Sequence, residues 1–384
     1  MRARLTGDFE RFGRSMPEDV AGYVREAYRI DLTTRYLGFP LPHPVGKGSG
    51  QLSLNLEQLE TDREAGLAYV VLKTVIGEDP GGRRSMGAWA VHETRMRVER
   101  RRAASGREGW TVTWKGRGWD RPFGEYLALV RAAGDLTRGG SLLTVPSVKL
   151  HLPPLDQPFH EAEYGHTLRA LAAAWGGDVL ALEKDFSPTL AGDPLADERE
   201  QILRWLREVP GRIRAGTAPH PVRLALKLMN ARHDDEFQLR MMAAATEADA
   251  LVVFNRLWSA EQGVAYGGFD LSDRNLRALA AARAGGLSTP PLAGTGNIGS
   301  GRLILDYARQ GCESVQLHTF FQLPLSEYPA TTGSRTQRAL HALFFHPADG
   351  LIAALLDLED AGGLHREAGE LRFLDACTAP AGER

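Results

Sequence analysis

The sequence predicts an α/β protein: a parallel (β/α)8 barrel that carries an inserted antiparallel hairpin and follows a short helical extension. Three observations lead there. Eight short apolar runs recur along the chain, and stretches of helical periodicity separate most of them. The glycine-rich turn "GTGNIGSG" follows the seventh run and opens a helix. A doubly wound sheet uses the same alternation, but eight repeats in 384 residues favour the barrel.

Residues 16–30 come first. They place Val20, Tyr23, Val24, Ala27 and Tyr28 on one stripe, which is the pattern of a helix packed on the body of the protein. A membrane-surface or partner-binding helix is the other reading of so short a stripe. The candidate strands are "PVGKGSG", then residues 67–74, 145–152, 178–183, 222–229, 250–255, 291–296 and 314–319. Helical patterns such as "EREQILRWLREV", "DEFQLRMMAAATEA" and "GRLILDYARQGC" fill the later intervals. The segment at about 92–116 breaks this rhythm. It alternates apolar and polar residues on both sides of "ASGREG", so it reads as an antiparallel hairpin. The expected organisation is an extension at 1–30, a barrel at 31–360 and a loose Gly- and charge-rich tail at 361–384.

Composition narrows the function classes. With 43% hydrophobic and 24% charged residues the chain has material for a sizeable core. A net charge of −2 gives no support to a nucleic-acid surface, and the arginines of "RVERRR" suit a solvated strand face. No apolar run reaches the roughly 20 residues of a membrane span, and "MRARLTGDFERFGRS" lacks the apolar stretch of a signal peptide. Cys312 and Cys377 fit no metal or disulfide spacing. The expectation is a cytoplasmic protein without nucleic-acid partners or stable membrane insertion.

In such a barrel, chemistry sits at the C-terminal ends of the strands, and loops seven and eight commonly hold phosphate. The turn at Gly294, Gly296, Asn297 and Ile298 offers backbone N–H groups to an anion, with His318 and Thr319 as neighbours. Tight-turn packing is the other use of those glycines. Lys73 and Lys227 end apolar strands. Each either snorkels at a strand end or faces the central mouth, where its charge calls for an anion. Asn255 ends a strand at the same mouth and supplies both a donor and an acceptor.

Taken in order, "LTTRYLGFPLPHPVGKGSGQLS", "GLAYVVLKTVIG", "ALKLMN", "ALVVFNRL" with "YGGFDLS", and "PLAGTGNIGSGRLILDYARQGCESVQLHTFF" resemble the dihydroorotate dehydrogenase family over most of residues 31–325. The resemblance implies an FMN-binding TIM barrel that exchanges hydride with a saturated C–C bond. It implies that Gly48, Ser49 and Gly50 lie against the flavin, with Lys73 and Thr74 beside its ring. It assigns Lys227 to the negative charge of reduced flavin, and Asn255 to flavin and substrate together. Gly267 and Gly268 match the family's paired glycines, and Gly296, Asn297, Ile298, His318 and Thr319 match the phosphate cradle. Members of the family also often form homodimers.

The fourth strand departs from the family pattern. Where the family carries Asn-x-Ser-(Cys or Ser)-Pro-Asn, this chain reads Lys184-Asp185-Phe186-Ser187-Pro188-Thr189. Ser187 keeps the place of the general base, while Lys184 and Thr189 replace two substrate-gripping amides. Arg117 replaces a third if Pro122 marks the register. Asp185 is a rival base if it points inward. The expected function is therefore an FMN-dependent oxidoreductase acting on a small polar, anionic substrate other than dihydroorotate, with its electron acceptor unread. Two alternatives stand beside it: a true dihydroorotate dehydrogenase with an atypical grip, and a flavin-binding protein without redox turnover.

Overall fold

The computed structural model describes residues 1–384 apart from 88–95, 103–105, 107, 115–117, 141, 187–197, 232–233, 260–263, 268–270 and 379–384. Its centre is a curled sheet of ten strands, every neighbouring pair parallel. The order across the sheet is Val75–Ile76, Ser147–Lys149, Leu180–Asp185, Val222–Met229, Ala250–Asn255, Leu292–Thr295, Cys312–Leu317, Val45–Lys47, Tyr69–Val71 and Leu143–Val145. All eight candidate strands are present. The second and third are each interrupted, the third at Pro146, a residue that cannot donate to a ladder.

Parallel strands covered on both faces need continuous apolar sequence, and these have it. All six residues of Leu180–Asp185 and the last six of Val222–Met229 are buried. One face carries small residues, Ala181, Ala225, Ala250 and Ala293, packed with Tyr36 and Tyr69. Those two rings stack at 4.6 Å, an arrangement worth about 1 kcal/mol beyond the area it buries. Gly46 is required here, because a Cβ on it would overlap the Tyr69 ring. Tyr36 comes from a small antiparallel pair, Thr34–Tyr36 with Phe39–Leu41. The larger core lies on the other face, under helices such as Phe123–Arg138, Glu161–Trp175 and Arg199–Thr217.

The stripe expected at 16–30 is the helix Val20–Tyr28, capped by Asp19, whose side chain accepts from Gly22 N at 2.9 Å. Val20, Val24 and Tyr28 are buried against the body. A second helix, Arg2–Phe12, precedes it within the helical extension expected at 1–30, although no stripe was singled out there. Its buried Asp8 explains the contact: both Tyr23 OH and Tyr28 OH donate to Asp8 Oδ2, at 2.6 and 2.7 Å. The segment after residue 361, expected to be loose, instead adds the strand Leu371–Arg372 beside Ile30–Asp31 and the helix Phe373–Thr378. Buried Leu371 and Phe373 hold it down. Among the described residues no helix is long and apolar enough to cross a membrane.

The hairpin is present as Met96–Arg102 paired antiparallel with Glu108–Trp114. It continues into a four-stranded sheet through Val264–Gly267 and Leu257–Ser259, with Gly267 opposite Val112. That continuation joins the hairpin to the segment that follows Asn255, beside the C-terminal ends of the parallel strands.

Candidate functional site

The parallel strands deliver polar side chains at their C-terminal ends, and ten of the residues nominated from the sequence line one pocket there. Gly48 and Ser49 leave the Val45–Lys47 strand, and Lys227 and Asn255 come from two adjacent strands, four and three places away in the sheet order. Gly267, Gly296, Asn297, Ile298, His318 and Thr319 complete the nominated set. The pocket encloses about 570 Å³ of space counted to its open mouth.

The turn after Leu292–Thr295 owes its shape to glycine and asparagine. Gly296 has φ +107°, and Asn297 has φ +50°, a left-handed conformation that asparagine tolerates. A Cβ on Gly296 would meet Asn275 Nδ2, which already donates to the carbonyls of Phe254 (2.9 Å) and Thr295 (2.7 Å). Ser300 then caps the helix Gly301–Ala308, its Oγ accepting from Leu303 N at 3.2 Å. The rest of that first turn is largely paired, with Arg302 N donating to the Asp349 carbonyl at 3.1 Å and Ile304 N to the Ser300 carbonyl at 3.2 Å, so the helix start acts through its dipole, whose positive end favours anions.

Under the pocket lies a buried polar floor. Glu183, with no exposed surface, has Lys227 Nζ at 3.7 Å and accepts from Gln316 Nε2 at 2.8 Å. Lys227 Nζ also donates to Gln316 Oε1 at 3.1 Å, and Gln316 Nε2 reaches the Tyr36 hydroxyl at 3.1 Å. Burial raises the Glu183 carboxyl above its ordinary range, and Lys227 opposes that shift. His318 is pushed the other way. Burial, then the charges of Arg256, Lys73, Lys227 and Lys47, holds its imidazole neutral.

The remaining nominated residues fall into three groups. Thr74 is buried beneath Ser49, its Oγ1 2.8 Å from Ser49 Oγ and 2.9 Å from Ser147 Oγ; Lys73 is buried beside it. Gly50 and Gly294 are packing glycines: a Cβ would overlap His318 at the first and Tyr307 at the second. Ser187, Thr189, Arg117 and Gly268 lie outside the described residues.

Two fourth-strand residues are described, and they divide the strand's roles differently from the sequence pattern. Asp185 faces the same side as Glu183, with Lys149 Nζ 2.9 Å from its Oδ2. Lys184 is fully buried, with its Nζ 3.3 Å from the Asp185 carbonyl oxygen and 4.7 Å above the centre of the Phe186 ring. Burial, and next the charge of Lys149, lowers its ammonium to about 7.

Sequence reasoning missed Glu183, Gln316, Arg256 and Lys149. Period-two alternation could have found the first two: Glu183 precedes Asp185 by two residues, and Gln316 precedes His318 by two. Lys149 and Arg256 carried no such signal. No family model matches the sequence, and no curated protein matches it.

Proposed function

We propose that the chain is an FMN-dependent oxidoreductase built on a (β/α)8 barrel, moving hydride to or from a small anionic substrate other than dihydroorotate. Closure of the barrel is supported by the strand pairing. Tyr69–Val71 pairs with Leu143–Val145, while Ser147–Lys149, just past Pro146, pairs with Leu180–Asp185, so one chain segment joins both ends of the sheet order.

The observation that carries the function is the convergence of ten motif residues, from separate strand exits, on one pocket around Lys227. The residues fit the cofactor. A Cβ on Gly48 would stand 3.6 Å from Lys227 Nζ and 3.5 Å from Gln316 Oε1, so glycine leaves the lysine open to a flat ring. The turn at Gly296–Ser300 and the helix behind it suit the phosphate. When bound, FMN supplies the ring nitrogen N5 that accepts or gives the hydride.

The protein's own groups do the rest. Lys227 sets a fixed positive charge where negative charge develops. Asn255 orients both cofactor and substrate by donating and accepting. Gly48, Ser49 and Gly50, backed by Lys73 and Thr74, form the wall along the ring. Ser187, or a water beside it, moves the proton at the neighbouring carbon, while Thr189 and Arg117 grip the substrate. Gly267 lines the pocket together with Asn255.

Absorption spectroscopy of the purified protein tests this reading. The expected result is a two-banded flavin spectrum that bleaches anaerobically with one member of a panel of dihydropyrimidines and cyclic or acidic amino-acid derivatives. Bleaching by dihydroorotate would instead identify a true dihydroorotate dehydrogenase. A yellow protein that no compound reduces would mark a binding protein without turnover. A colourless protein that rejects added FMN would end the flavin reading.

A further inference from the structure

Three hydroxyls form a line from the pocket wall to a buried carboxylate. Ser49 lines the pocket, and its Oγ lies 2.8 Å from Thr74 Oγ1, which in turn lies 2.9 Å from Ser147 Oγ. Ser147 Oγ then donates to Glu183 Oε1 at 3.4 Å. The four residues belong to the first, second, third and fourth β units, so the line crosses the sheet from strand exit to strand exit. Thr74, Ser147 and Glu183 are buried, and Ser49 alone is partly exposed.

The carboxylate sets the direction of the line. An ionised carboxylate only accepts, so Ser147 gives its hydrogen to Glu183 and accepts from Thr74, which accepts from Ser49. Every hydrogen in the line then points toward Glu183. A proton arriving at Ser49 can therefore be passed on by one hop per hydroxyl, ending on Glu183 with all three hydroxyls turned round.

Charge explains why Glu183 takes it. The other groups against its carboxyl are Lys227 Nζ at 3.7 Å and Gln316 Nε2 at 2.8 Å, and both of those residues line the pocket too. Burial raises the affinity of the carboxyl for a proton, Lys227 opposes that rise, and Asp185 on the same strand adds to it. The phenols of Tyr36, Tyr69 and Tyr126 stand near it as well, and burial pushes each of them up, so they stay protonated. Lys227 is thus the counter-charge of Glu183. Negative charge brought to Lys227 from the pocket competes for that ammonium and leaves protonation of Glu183 less opposed.

We propose that Glu183 is a proton store for the pocket, filled through Ser49, Thr74 and Ser147 when negative charge develops beside Lys227. The proposal rests on the flavin reading of the pocket and deepens it by naming where the compensating proton goes. In a two-electron reduction the ring gains both electrons and a proton at N5, and keeps a negative charge beside Lys227. A second proton, from solvent or substrate, goes onto the Glu183 carboxylate, so the pocket gains no net charge.

Stopped-flow reduction of the FMN-loaded full-length chain by reduced methyl viologen reads this, because that donor gives up electrons without binding or releasing protons. In weakly buffered solution at pH 8 a pH-indicating dye counts protons while flavin absorbance counts electrons. The wild type should take up about two protons per bound FMN and Glu183→Gln about one. Ser147→Ala interrupts the line and leaves the carboxyl and Lys227 in place. It should reach the same total, with the second proton at least about tenfold slower. A single proton in the wild type, two in Glu183→Gln, or an undelayed second proton in Ser147→Ala would each overturn the proposal.

A measurement without ligand separates the store from the cofactor. Infrared titration of the full-length chain should show a carboxylic-acid C=O band that persists above the ordinary carboxylate range and is missing in Glu183→Gln. A colourless protein that rejects FMN yet shows this band would retire the flavin and keep the store. A yellow protein without the band would keep the flavin and overturn the store.

Discussion

Two carboxylates leave the same strand two residues apart and meet different company. Glu183 points under the pocket, where Lys227 at 3.7 Å and Gln316 at 2.8 Å share it with the Ser147 hydroxyl at 3.4 Å. Asp185 points under the neighbouring strand end, where Lys149 takes it at 2.9 Å and Lys184 crowds its carbonyl. The first arrangement balances one cation with one anion and fills the remaining valences with neutral donors. The second brings two ammonium groups, Lys149 and Lys184, to the backbone carbonyl of Asp185, with Lys149 on its carboxylate as well. The strand thus divides into a floor under the pocket, served by one cation and neutral donors, and a neighbouring floor where two ammonium groups crowd one residue.

The largest effect expected from that division follows removal of Lys227. Lys227→Met leaves Glu183 with no exposed surface and no cation at 3.7 Å, and a buried charge stripped of its partner costs about 3–5 kcal/mol. Urea unfolding should show that loss, and the protein should no longer retain FMN. Adding E183Q should recover much of the stability but not the flavin, because it removes the stranded charge without restoring the cation. Recovery of both would mean that Lys227 serves only the fold.

The pocket around Lys227 was more legible than the fourth strand, and the reason is physical. Glycines at 48, 296 and 267, and the strand-ending Lys227 and Asn255, act through backbone shape and through residue types that are costly at strand ends, so they stand out in a linear sequence. The eight strands were readable because parallel strands buried on both faces are continuous apolar runs. The helix Arg2–Phe12 was hard to read, since a buried carboxylate, Asp8, sits between Leu5 and Phe12 on the stripe that docks it and is satisfied by two tyrosine hydroxyls. On the fourth strand, the family pattern drew the eye to Lys184 and Ser187. Which of Lys184 and Asp185 faces the floor is a matter of strand alternation counted from Glu183, and the partner of Asp185 is Lys149, 36 residues away. No local spacing announces that pairing.

A smaller loss is expected on the other side. Lys149→Met strands Asp185, but Lys184 Nζ already stands at the Asp185 carbonyl, and 8% of the Asp185 side chain is exposed. Both features soften the penalty, to about 1–3 kcal/mol. Side by side in urea, Lys149→Met should therefore unfold at a higher concentration than Lys227→Met. The reverse order would break the division, because it would make the Lys149–Asp185 pair the more tightly balanced of the two.

The smallest effect sharpens the pocket around Lys227 from its far end. Ser300 Oγ accepts from Leu303 N at 3.2 Å and so fixes the first turn of Gly301–Ala308, directly behind the Gly296–Asn297 turn. Ser300→Ala removes that cap at a cost of about 1 kcal/mol. It leaves Lys227, Glu183 and Gln316 untouched, so the floor of the pocket should keep its balance. A fluorescence titration with FMN should then show weaker binding, with a larger loss for FMN than for riboflavin, which lacks the phosphate. Equal losses for the two ligands would show that the helix start supports the pocket as a whole and does not address the phosphate. The anchoring charge of the pocket would then have to be sought at Arg256 and Lys73 instead.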